Sequence, residues 1–193
     1  MNNTIKDIIN NYFKRFEGEI EQKNLLLEQL NQESVEEVDR LDNRRNFKGH
    51  LCASAFILNR EKTKVLLIHH KKLKMLLQPG GHIDPFENPL DSCQREILEE
   101  LGLSEMEYLP IDSTMRDLPF DIDSHYIPAN LKKDESEHYH HDLRYLFIID
   151  EMCDISFSKK ELDGYQWVDI DSMETISGGE RVKAKIKSYL TKT

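Results

Sequence analysis

The spacing of apolar residues changes once along the chain. Ile5, Ile9, Tyr12, Phe16 and Ile20, then Leu26 and Leu30, recur at the period of a helix with one buried face. One or two N-terminal helices are expected, with Gly18 as a break between them. From about Phe47 the texture becomes short, β-branched apolar runs. HLCASAFILN and KVLLIHH, separated by the polar turn REKTK, predict neighbouring strands. MEYLPI, FDIDSHYI, DLRYLFIID and GYQWVDI predict four more, and DLRYLFIID, the most continuously apolar, belongs at the centre of a sheet.

The segment KKLKMLLQPGGHIDPFE is expected to be a loop leading into a helix. Asn88 is suited to cap that helix, Pro89 to open it and Gly102 to stop it after Leu101. Ser177 with Glu180 is a capping box for a last helix carrying Val182, Ile186, Tyr189 and Leu190 on one face. Strands with helices to cover their faces predict an α/β/α sandwich with a mixed sheet over residues 47–193. Residues 1–46 would form a helical N-terminal extension, packed on that domain as a flap or making a homodimer contact.

Composition narrows the function. The net charge of −10 excludes a broad basic face for duplex nucleic acid, so a polyanionic substrate must be met by local cations or a metal ion. No apolar run approaches the length of a membrane span, and MNNTIKDIINNYF has neither a basic nor an apolar leader segment. Cys52, Cys93 and Cys153 are too few and too scattered for a disulfide framework or a zinc knuckle. Together these predict a soluble, cytoplasmic protein with reduced thiols and no membrane partner.

One stretch is hard to explain as scaffold. Asp84, Glu87, Asp91, Glu96, Glu99 and Glu100 gather six carboxylates around one base, Arg95. Glu96, Glu99 and Glu100 fall on one side of the helix and Leu90, Cys93, Ile97 and Leu101 on another. Like charges at this spacing repel, and a divalent cation removes the penalty. Oxygen-only ligands select a hard ion, Mg²⁺ or Mn²⁺, which is commonly shared with substrate phosphates. Arg95, one turn before Glu99, can hold that face while pairing back to Glu87. His82, His125, His138 and His140 also cluster, and could bind a second metal with Asp84, contact a base, or satisfy buried backbone groups.

The spacing Gly81, five residues, Glu87, seven residues, Arg95-Glu96-Ile97, one residue, Glu99-Glu100, one residue, Gly102-Leu103 resembles the Nudix box without a mismatch. A chance match in a chain of this length is on the order of 10⁻⁷ at ordinary residue usage. GHLCASAFILN, LLQPGGHID, FDIDSHYIPA and HHDLRYLF extend the resemblance to a bacterial Nudix hydrolase subgroup with a helical N-terminal extension.

That resemblance implies hydrolysis of the diphosphate bond of a nucleoside diphosphate linked to another moiety, by a metal-activated water. It makes Glu96, Glu99 and Glu100 metal ligands, with the Gly81 carbonyl as a further one, and lets Glu99 or Glu100 orient the water. Arg95 would hold these carboxylates in place. The family often takes its general base from a loop outside the box. Glu161 is the first candidate here, ahead of Glu135 and Glu137. Arg144, on an apolar strand, is the leading phosphate contact, Arg116 and Lys72 follow, and His82 could hold a base. The competing reading is a catalytically silent Nudix fold that senses nucleotides or binds a protein; such domains usually lose box glutamates, and this chain keeps them all.

Overall fold

The computed structural model describes residues 4–19, 24–32, 36–175 and 179–191. In chain order its elements are α1 (Ile5–Arg15), α2 (Asn24–Leu30), β1 (His50–Asn59), β2 (Lys64–His70), β3 (Met75–Leu77), β4 (Gly80–His82) and α3 (Pro89–Leu101). They continue with β5 (Glu107–Tyr108), β6 (Asp121–Ile127), β7 (His138–Ile149), β8 (Leu162–Asp169) and α4 (Gly179–Leu190). Among the described residues, no helix is long and apolar enough to cross a membrane.

The two most apolar strands form the centre. β1 and β7 pair in parallel from His50 opposite His140 to Asn59 opposite Ile149, and every other strand pair among the described residues is antiparallel. β7 occupies one edge of β1 along its whole length, so β2 and β4 share the other. β8 likewise takes one edge of β2, leaving the second to β1 and β3. β1 and β2 therefore diverge beyond Ile57 opposite Leu66, and the segment expected to be a loop fills the fork with β3 and β4. Each is only three residues long, too short to show a period of its own.

Gly80 is required in the fork. A Cβ there would lie 2.5 Å from the Ala53 carbonyl oxygen and from the Ser54 Cβ, and its φ is +153°. The Ala55 amide bonds the Pro79 carbonyl at 2.9 Å, which fastens the tip to β1.

Period-two alternation assigns the two sheet faces. Leu51, Ala53, Ala55 and Ile57 of β1 share a core with Leu143, Tyr145 and Phe147 of β7, with Cys93, Ile97 and Leu101 of α3, and with Ile8, Ile9, Tyr12, Leu26 and Leu30 of the N-terminal helices. Phe56, Leu58, Leu146 and Ile148 face the other way, against Val182 and Ile186 of α4. The result is a mixed sheet with helices on both faces.

α1 starts at a capping box formed by Thr4 and Asp7. Its Tyr12 hydroxyl accepts from the Ile122 amide of β6 at 3.1 Å and from Lys185 Nζ of α4 at 2.7 Å. The N-terminal helices are thus built into the core, and Tyr12 satisfies one amide on the outer edge of β6. Ile20 and Ser177 lie outside the described residues.

Candidate active site

α3 is positioned by the signals its sequence carries. The Asn88 side chain accepts from the Leu90 amide at 2.9 Å, Pro89 opens the helix, and Gly102, with φ +68°, ends it in the left-handed conformation. Cys93, Ile97 and Leu101 are buried against the sheet.

That seating separates the three box glutamates. Glu100 turns into the β1–β2 fork, is 5 % exposed, and accepts from the Gly80 amide at 3.0 Å. Glu96 lies beneath β4, so close to Gly81 that a Cβ there would stand 2.4 Å from its carboxyl carbon. Glu99 points outward, its side chain 60 % exposed. The three carboxylates expected on one open face instead grade from buried to solvent, because the 100° step between neighbours carries Glu100 towards the sheet.

Arg95 ties the cluster to the preceding loop. Its Nε and Nη2 each lie 3.0 Å from an oxygen of Glu87, and Nη1 reaches Glu96 at 2.7 Å and Glu99 at 3.4 Å. Nη2 also donates to the His82 carbonyl and to Ser92 Oγ, both at 3.1 Å. These contacts, Glu87 first, keep the guanidinium charged.

Among the described residues, the Gly80 amide is the one hydrogen-bond donor set against the charge of Glu100. Burial, followed by the neighbouring charges of Glu96, Glu161 and Glu99, pushes its carboxyl up to about 8. Glu96 is raised as well, by burial first and despite Arg95. Repulsion between the glutamates contributes, but loss of water is the larger cause.

Glu161 sits in the turn before β8, and its charge acts on both Glu96 and Glu100. Its loop is fixed to α3, since the Ser158 and Ser156 amides bond the Glu100 and Leu101 carbonyls. Glu135 and Glu137 lie elsewhere. Glu135 is 3.9 Å from Arg44, and Glu137 accepts from the Tyr126 hydroxyl at 2.9 Å.

The structure corrects the placement of Arg144 as a phosphate contact. It is 6 % exposed, and its guanidinium is bound to Asp142, Asp121 and Asp123 at 2.8, 3.3 and 3.0 Å. Arg181 joins Asp121 and Asp123 from α4. Arg144 sits on an apolar strand because it ties β6 to β7, with Arg181 adding α4 through Asp121, and all three guanidinium nitrogens are engaged by these carboxylates. Arg116 is exposed in the loop before β6, where its carbonyl accepts the Tyr108 hydroxyl of β5 at 2.7 Å. Lys72 is exposed, and its neighbours Lys71 and Lys74 pair with Asp163.

Asp84 does not join the histidines. It is exposed, and its amide bonds Glu87. His82 instead faces His50, Cys52 and His140 on the side of β4 away from Glu96. His50 and Cys52 were not legible as members of a cluster. Their approach depends on Cys52 standing opposite His82 and His50 opposite His140, a register that the pattern of a single strand does not carry.

A mixed sheet clasping a glutamate-rich helix beneath a glycine pair defines a class, and comparison with known proteins agrees. The NUDIX domain profile matches residues 48–189, and the chain belongs to that family. It is 34 % identical over 119 residues to the probable DHNTP pyrophosphohydrolase of Lactococcus lactis subsp. cremoris (strain MG1363), with 58 % of this chain aligned. The alignment spans 64 % of that relative's length. Among solved structures, a NUDIX-family hydrolase from Clostridium perfringens superposes with a TM-score of 0.54 at 25 % identity, over 72 % of this chain and 96 % of that one. A C. elegans Ap4A hydrolase superposes with a TM-score of 0.56 at 15 % identity, over 74 % of this chain and 98 % of that one, a likeness of fold.

Proposed function

We propose that the chain is a Mg²⁺- or Mn²⁺-dependent pyrophosphohydrolase that cleaves the diphosphate bond of a nucleoside diphosphate linked to another group. The observation that carries this reading is the graded cluster of Glu96, Glu99 and Glu100, which has one guanidinium and one backbone amide as its partners. An oxygen-only donor set with excess negative charge fits a hard divalent ion and not zinc. Glu96, Glu99 and Glu100 would hold it, with the Gly81 carbonyl as a further ligand. When bound, such an ion neutralises phosphate charge and lowers the pKa of a bound water.

The chain's own groups set the geometry. Arg95 fixes Glu96 and Glu99 relative to Glu87, and the Gly80 N–H orients Glu100. Glu161 Oε is the proposed acceptor for the proton of the attacking water, because it is held beside the cluster without belonging to α3. An overall negative charge is no obstacle to a phosphorylated substrate when the ion supplies the positive charge.

The test is a substrate panel with Mg²⁺ or Mn²⁺, read as released phosphate products. It should contain DHNTP, after the name of the L. lactis relative, with ADP-ribose, nucleotide sugars, dinucleoside polyphosphates, oxidised nucleotides and capped RNA ends. Metal-dependent cleavage of a diphosphate bond in at least one of them is expected. No turnover across the panel would contradict the reading.

A further inference from the structure

Across the sheet from the carboxylates, four side chains converge that the hydrolytic reading does not use. His50 and Cys52 come from β1, His82 from β4 and His140 from β7, and one potential ligand atom from each lies within 4.8 Å of all the others. The rings are packed together: His50 lies 5.0 Å from His82 and 4.7 Å from His140, centroid to centroid, and His82 lies 5.1 Å from His140. His138 stacks on His50 at 4.8 Å, and its Nε2 approaches that of His140 at 3.2 Å.

The hydrogen bonding points at a missing partner. His50 is 2 % exposed, and its Nδ1 lies 3.2 Å from the Asn46 carbonyl oxygen. A carbonyl only accepts, so Nδ1 must carry the proton and Nε2 is left with its lone pair. That Nε2 is buried and has no hydrogen-bond partner. A buried acceptor without a partner costs roughly 1–3 kcal/mol. A ring proton given to a backbone carbonyl, with the opposite nitrogen free, is the arrangement found in metal-ligating histidines.

We propose that His50, Cys52, His82 and His140 form a binding site for a divalent transition metal ion of the zinc class, separate from the hard-ion cluster on α3. Three imidazoles and a thiolate are a borderline-soft, four-ligand set that suits tetrahedral Zn²⁺ and disfavours Mg²⁺. Ligand atoms around such an ion stand about 3.3–3.8 Å apart, so closure needs rotamer adjustments of about 1 Å. Cys52 is 8 % exposed and burial raises its thiol, so binding displaces a proton from it.

The ion would tie β4 to β1 and β7. β4 is a three-residue strand that presents the Gly80 amide to Glu100 and the Gly81 backbone to Glu96. The role is structural, and the proposal stands whether or not the chain hydrolyses a diphosphate.

Co²⁺ titration of the tag-free, metal-stripped protein in excess Mg²⁺ tests it, alongside Zn²⁺ competition and thermal melting. One equivalent should give tetrahedral visible bands and a thiolate charge-transfer band, both displaced by Zn²⁺, and Zn²⁺ should raise the melting midpoint. Cys52→Ser should remove the charge-transfer band. His140→Ala, at a half-buried position, should weaken binding by at least about 100-fold, the upper end of what loss of an outer partner costs. Glu100→Gln should leave the spectrum intact. A weak octahedral spectrum without a thiolate band would overturn the proposal. So would binding that survives His140→Ala unchanged but disappears in Glu100→Gln.

Discussion

Arg95 donates from all three of its guanidinium nitrogens, to Glu87, Glu96, Glu99, Ser92 and the His82 carbonyl. A lysine supplies one point of charge and cannot span partners on both sides of a planar fork. Arg95→Lys should therefore lose nearly as much metal-dependent turnover as Arg95→Ala, and wild-type turnover in the lysine variant would show Arg95 to be a simple charge. Glu100 makes a second prediction at this scale. Its folded value of about 8 lies above the ordinary 4.5, so the folded state holds a proton that the unfolded state has released between those values. Its contribution is fully present below about pH 4.5 and is lost as pH rises through about 8. Denaturant melts of metal-free protein from pH 4.5 to 8.5 should show this falling limb, and Glu100→Gln should flatten it. An equal slope in both proteins would assign the effect to another group.

Among the elements, α1 and α2 behave least like an appendage. Ile9 is fully buried in the core that also holds Tyr145 and Ile97, so Ile9→Ala should cost about 2–5 kcal/mol in a denaturant melt. Deleting residues 1–45 should expose that core and give an aggregating or partly unfolded protein. A monomeric truncate with the full-length melting midpoint would show the helices to be dispensable. How much the sequence revealed follows from where each element's information lies. β1 and β2 were legible to the residue because apolar runs and a polar turn define them, and α3 because its cap, proline and stop glycine are local. β3 and β4 were not, because only the divergence of β1 from β2 creates the fork they fill. The clustering of the carboxylates was legible because they lie on one helix with fixed spacing. The histidine cluster was only partly so, because strand register assembles it, and Arg144 misled because a buried ion-pair network looks from sequence like a phosphate hand.

For the whole molecule, β4 joins two chemistries on opposite sides of one sheet: carboxylates on α3 beneath Gly81, and imidazoles with a thiol around His82. A Cβ at Gly81 would collide with Glu96, so Gly81→Ala should displace that carboxylate, weaken Mg²⁺ binding by calorimetry and leave the far-ultraviolet circular dichroism unchanged. Unaltered Mg²⁺ affinity would mean that the cluster tolerates a shifted Glu96. The central claim is that a hard-ion site on α3 drives hydrolysis of a diphosphate bond. It is tested most directly by measuring phosphate-product release from the best panel substrate in saturating Mg²⁺, for wild type and Glu99→Gln. The Glu99 side chain is 60 % exposed, so this variant should melt like wild type while its turnover falls by several orders of magnitude. Equal turnover in the two proteins would contradict the account.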